Sequence, residues 1–200
     1  MTKVVKFPAP VPEKFGPQRV QKRKNKSSDK DRQLDLFAEG KVVRLSQLSA
    51  FEEALMLDSH GDLQAARASY QKSIEANDSL ADAYCNLGII EFQDKNYPRS
   101  IDCFTRSLKE EPRHYEAHYN LANLYAEVGD FALAKFHYQI AIEIEPAFRN
   151  SYFNLALVFA REKVYKEAAQ ILELYRQLAT EEEYQQVDGL IQSFRQLTES

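Results

Sequence analysis

From about Gln47 onward, apolar and small residues recur with helical spacing, and the pattern itself repeats. The segments ADAYCNLGIIEF from Ala81, YEAHYNLANLYA from Tyr115 and RNSYFNLALVFA from Arg149 align without gaps at a period of 34 residues. A more divergent copy, QLSAFEEALMLD, starts at Gln47. Position eight of each copy is small (Ala54, Gly88, Ala122, Ala156), and so is position twenty (Ala66, Ser100, Ala134, Ala168). Small residues at fixed places on two consecutive helical patterns let the helices approach closely. Large residues at position seventeen (Leu63, Tyr97, Phe131, Tyr165) and position twenty-four (Tyr70, Phe104, Tyr138, Leu172) fill the space around that contact. Each copy therefore predicts a helical hairpin. Gly61-Asp62 and Gly129-Asp130 fall between its helices, where Gly ends one and Asp caps the next. Pro112 and Pro146 mark where the second helix stops. A single hairpin cannot bury its apolar face, so the copies are expected to stack as an all-α solenoid. Beyond Thr180 and the acidic run Glu181 to Glu183, the spacing of Tyr184, Val187, Leu190, Ile191, Phe194 and Leu197 predicts a helix over 181–200 that caps the last hairpin.

These columns resemble the tetratricopeptide repeat, with Leu87-Gly88, Leu121-Ala122 and Leu155-Ala156 as the clearest signature. The resemblance covers residues 47–180 as four repeats, 47–80, 81–114, 115–148 and 149–180, and implies a right-handed α-solenoid. The first copy departs from it in carrying Asp78 where the family has Pro, and the fourth in carrying Tyr175 at a small position. Terminal copies have only one neighbour to satisfy.

The resemblance further implies that the first helix of each repeat lines a concave groove. In this sequence that groove takes Phe51, Leu55 and Asp58 from the first copy and Asp82, Asn86, Ile89 and Phe92 from the second. The third supplies Glu116, Tyr119, Asn120 and Asn123, and the fourth Phe153, Asn154 and Leu157. Such a surface is apolar and aromatic, dotted with amides and mildly acidic, which suits a peptide partner that is uncharged or basic and partly apolar. Asn side chains can hold the backbone of an extended peptide through paired donors and acceptors. They can equally support the fold between adjacent repeats, so Asn86, Asn120 and Asn154 carry both readings. Relatives that grip the C-terminal carboxylates of chaperones need cations in the groove. Here Phe51, Cys85, Tyr119 and Phe153 occupy the fifth position instead, which disfavours that role.

Charge divides the chain differently. Residues 1–32 hold ten Lys or Arg against three acids, a net +7, and the remainder carries −11. That arm also holds four of the seven prolines and no regular apolar period, so it is expected to be disordered. One consequence is autoinhibition: the basic arm covers the acidic groove until a partner displaces it. A short segment, 33–46, follows. Within it Gln33-Leu34-Asp35-Leu36-Phe37 is similar to the pentapeptide by which bacterial polymerases and repair proteins dock on the replication sliding clamp. The resemblance implies an alternative function, an accessory of DNA replication or repair recruited by Gln33 to Phe37. The other reading of Leu34, Leu36 and Phe37 is a cap packed on the first repeat. The basic cluster Lys22-Arg23-Lys24-Asn25-Lys26 lacks interleaved aromatics, so weak phosphate contacts are all it suggests toward nucleic acid.

Catalytic and cofactor signals are missing. No glycine pattern cradles phosphate. Cys85 and Cys103 lack metal or redox spacing. His114 and His118 lie four apart without a third ligand in view, and His118 fills the aromatic column of its repeat. No apolar run reaches the roughly 18–20 residues of a membrane span. The expectation is a cytoplasmic, non-enzymatic adaptor with no cofactor, no metal and no membrane association.

Overall fold

The computed structural model describes residues 17–21 and 48–199, and among these the regular structure is entirely helical. They divide into two compact units. The first, within Arg19–Pro112, holds α1 (Ala50–Ser59), α2 (Leu63–Glu75), α3 (Leu80–Gln93) and α4 (Tyr97–Glu110). The second, within Arg113–Ser200 together with Pro17 and Gln18, holds α5 (Tyr115–Val128), α6 (Phe131–Ile144), α7 (Arg149–Arg161), α8 (Tyr165–Leu178) and α9 (Glu181–Thr198). Antiparallel hairpins α1/α2 and α3/α4 pack in the first unit, with α2 against α3. Hairpins α5/α6 and α7/α8 pack in the second, with α6 against α7 and α9 over α8. The all-α tetratricopeptide-type architecture and the terminal capping helix are as the sequence predicts.

Local chemistry explains the boundaries. Ser49 and Glu52 form a reciprocal capping box at α1, the Glu52 N–H donating to Ser49 Oγ at 3.3 Å and the Ser49 N–H to the Glu52 carboxylate at 2.9 Å. Asp78, in the column where proline was expected, accepts a hydrogen bond from the Phe51 N–H at 3.0 Å and so serves the start of α1. Gly61 (φ +81°) and Gly129 (φ +85°) end α1 and α5 in the left-handed region, and Asp62 and Asp130 cap the following helices at 3.1 Å. The same turn position in the other hairpins is Lys95 (φ +59°) and Lys163 (φ +64°), so backbone geometry is retained where the glycine is not.

The close approach of paired helices is tightest at Gly88. A Cβ there would lie 2.8 Å from Phe104 Cε1 and 3.2 Å from Cys103 Cβ. Ser100 Oγ donates to the Gly88 carbonyl at 2.7 Å across the same gap. Buried Ala54 and Ala66, and Ala122 and Ala134, play the same part in α1/α2 and α5/α6. Above them, Tyr70, Phe104, Tyr138 and Leu172 are each almost fully buried. At the C-terminus, Val187, Ile191 and Phe194 of α9 bury against Leu172, Tyr175 and Ala168 of α8, and the Glu183 carboxylate both caps α9 and meets Arg149 Nη1 at 2.8 Å. Tyr175, large at a family-small position, is absorbed by this layer with its ring 5.3 Å from Phe153.

Of the arm 1–32, residues 17–21 are described, and their contacts are given below. The segment Gln33 to Phe37 and the cluster Lys22 to Lys26 lie outside the described residues. Cys85 and Cys103 are buried free thiols, and burial pushes the Cys103 pKa up to about 11. His114 serves as the α5 cap, its Nδ1 accepting from the Ala117 N–H at 3.1 Å. His118 Nδ1 lies 2.9 Å from His137 Nδ1, and the His137 ring stacks on Tyr125 at 5.7 Å.

Three outcomes test this packing. Gly88→Ala is expected to cost about 1–3 kcal/mol in urea unfolding, because the rigid Phe104 ring has to shift. Gly189 sits inside α9 with open space where a Cβ would go, so Gly189→Ala should stabilise by about 0.5–1 kcal/mol. Burial, aided by the neighbouring His118, lowers the His137 pKa to about 4, below its unfolded value. The unfolded chain then binds the extra proton first as pH falls. Stability should drop between roughly pH 6.5 and 4, and His137→Gln should flatten that part of the profile.

Candidate peptide-binding site

An α-helix turns by about 100° per residue, so the sixth position of each repeat lies about 200° from the small eighth position. Fixing Gly88 against α4 therefore directs Asn86 to the opposite side of α3, and fixing Ala122 against α6 does the same for Asn120 on α5. The structure seats residues of the basic arm on both. In the first unit, Asn86 Oδ1 accepts from the Val20 N–H at 2.8 Å and Asn86 Nδ2 donates to the Val20 carbonyl at 2.9 Å. In the second, Asn120 Oδ1 accepts from the Gln18 N–H and Asn120 Nδ2 donates to the Gln18 carbonyl, both at 2.8 Å. A primary amide thus satisfies both polar groups of one residue, as a neighbouring strand would.

Side chains add to the first-unit contact. The Val20 side chain is almost fully buried, at 1% exposure. Arg19 forms an ion pair with Asp58, whose side chain is 2% exposed, and its Nη2 donates to Gln93 Oε1 at 3.3 Å. Among the described residues the Asp58 carboxylate also accepts from the Tyr70 O–H, at 3.1 Å. Burial lowers the Arg19 pKa, with Tyr70 acting in the opposite sense, but a guanidinium starts high enough to stay protonated. Burial also raises the Tyr70 pKa, so the phenol keeps its donor proton.

The other residues expected in the groove fall into two groups. Phe51, Tyr119 and Phe153 are buried inside the repeats: Phe51 packs 6.0 Å from Tyr70, Tyr119 edge-on to Phe148 at 5.0 Å, and Phe153 against Tyr175. Ile89 and Glu116 are buried as well, whereas Leu55, Asp82, Phe92, Asn123 and Leu157 are half-buried. Asn154 Nδ2 donates to Tyr119 Oη at 3.0 Å and to Asn123 Oδ1 at 2.9 Å, and Asn123 also accepts from the Tyr138 hydroxyl at 2.5 Å. In the Asn column, Asn86 and Asn120 bond the arm, Asn86 also meets Tyr70, and Asn154 bonds its own repeats. Gln93 and the segment around Val20 were not picked out from sequence. The only signal for the latter was the opposite charge of arm and body.

Comparison with known proteins agrees with the repeats. Tetratricopeptide repeat models match residues 51–102 and 115–148. The chain is 29% identical over 97 residues to anaphase-promoting complex subunit 3 of Schizosaccharomyces pombe, matching 48% of this chain and only 15% of that protein's length. Among solved structures, it resembles YrrB, a TPR protein with an unusual peptide-binding site, with TM-score 0.62 and 21% identity over 75% of this chain and 76% of that one. It also resembles the TPR2B domain of yeast Sti1 in complex with pHsp70, with TM-score 0.53 and 23% identity over 58% of this chain and 96% of that one. At these identities the likeness concerns the fold. No described helix is long and apolar enough to cross a membrane.

Proposed function

We propose that the chain, a tetratricopeptide-repeat protein, is a non-enzymatic scaffold that grips partner backbone through Asn86 in the first unit and through Asn120 in the second, with its own Val20 and Gln18 as their respective resident occupants. The observation that carries this reading is the paired donor and acceptor that each amide presents to one arm residue. Supporting the fold alone requires no such pairing with a remote, non-helical segment. The neighbours fit: YrrB has an unusual peptide-binding site, the Sti1 domain forms a complex with pHsp70, and the fission-yeast relative is a subunit of the anaphase-promoting complex.

The energetics favour a displaceable occupant. Four clamp bonds contribute about 0.5–1.5 kcal/mol each. Ordering a few backbone residues costs about 1–2 kcal/mol apiece, so the two nearly cancel. Burial of Val20 and the Arg19 pair tip the balance. Because the arm is tethered, it acts at high effective concentration, and a partner must outcompete it.

Trypsin cleavage of the Arg19–Val20 bond in the full chain tests this. Release of the arm is required for cleavage at that site, and removing two clamp bonds weakens seating by roughly tenfold or more. Asn86→Ala and Asn120→Ala should each accelerate that cut by about this factor with the thermal transition of the repeats retained. Equal cleavage rates in the wild type and both variants would remove the arm from the groove and the proposal with it.

A further inference from the structure

Building on that reading, we infer that the first-unit part of the clamp reads sequence as well as backbone, and that it selects partners carrying an arginine followed by a small branched apolar residue. The amide of Asn86 bonds groups that every residue except proline possesses, so it carries no information about side chains. Discrimination falls to the two positions whose side chains are held: Arg19 on Asp58 and Gln93, and Val20 in its buried seat.

The chemistry at Asp58 is demanding. Its carboxylate is buried on α1, and the Tyr70 hydroxyl is a neutral donor that cannot offset a full charge. A ligand without a cation leaves that charge buried and uncompensated. Arginine suits the seat better than lysine, because its fork can meet Asp58 with one nitrogen and the Gln93 carbonyl with another. One residue on, a charged side chain placed where Val20 lies would be stripped of water without a partner. Residues 18–20 of the arm are thus a copy of the ligand held in cis. The partner class is an extended protein segment of the form Arg-Val or Arg-Ile.

The test uses the full chain with Gln18→Pro and Val20→Pro, which remove the two N–H donors of the arm and open the clamp without touching the repeats. Circular dichroism checks that the helices persist. The probe is a fluorescein-labelled peptide with the sequence of residues 14–24, followed by anisotropy. Binding is expected to be at least about tenfold tighter than to the wild-type chain, where the arm competes. Changing the peptide's arginine to glutamine, or its valine to aspartate, should weaken binding about tenfold or more. Receptor Asp58→Asn, which keeps the acceptor for Tyr70, should abolish the preference for arginine over glutamine. If all peptides bind alike and Asn86→Ala still removes binding, the sequence reading is wrong while the backbone clamp stands. If no peptide binds, or Asn86→Ala changes nothing, the clamp itself is refuted.

Discussion

The close contact of paired helices at their small residues is the constraint on which the site depends. With Gly88 facing the Phe104 ring and Ala122 buried, α3 is packed closely on α4 and α5 on α6. The sixth-position asparagines are then held on the face opposite the contact. An amide satisfies an N–H and a C=O of the same residue only when both distances are right together. The bonds of 2.8–2.9 Å from Asn86 and 2.8 Å from Asn120 meet that condition. Polar recognition is thus a product of apolar packing on the other side of each helix.

The arm brings a second kind of economy. Its +7 charge and the −11 of the remaining chain attract each other, but salt screens exposed charges beyond roughly 8 Å in cells. What persists is the short-range set: two amide clamps, the buried Val20 and the Arg19–Asp58 pair. Only Asp58 in this set is a deeply buried charge, which makes it the element that discriminates between occupants.

Much of this was legible before any coordinates. The 34-residue columns specified the hairpins, the glycine turns at Gly61 and Gly129, and the capping helix after Thr180, because each follows from sterics or capping within a few residues. The left-handed turns at Lys95 and Lys163 were hidden, since lysine does not announce a positive φ. Among groove residues, Asn86 and Asn120 admit two readings from sequence, and in the structure each bonds an arm residue. Phe51, Tyr119 and Phe153, which the resemblance assigns to the groove, are buried and meet the rings of Tyr70, Phe148 and Tyr175, contacts that a helical column alone does not specify. Residues 18–20 were unreadable for a different reason. An extended segment bonded through its backbone leaves no periodicity, only a charge opposite to that of its partner.

The most direct measurement is amide hydrogen exchange at Val20 in the full-length chain, compared with the same residues in a free peptide. A Val20 N–H bonded to Asn86 and buried with its side chain should exchange at least about tenfold more slowly than in the peptide. Exchange at the free-peptide rate, with the repeats folded, would mean that the arm does not occupy the groove.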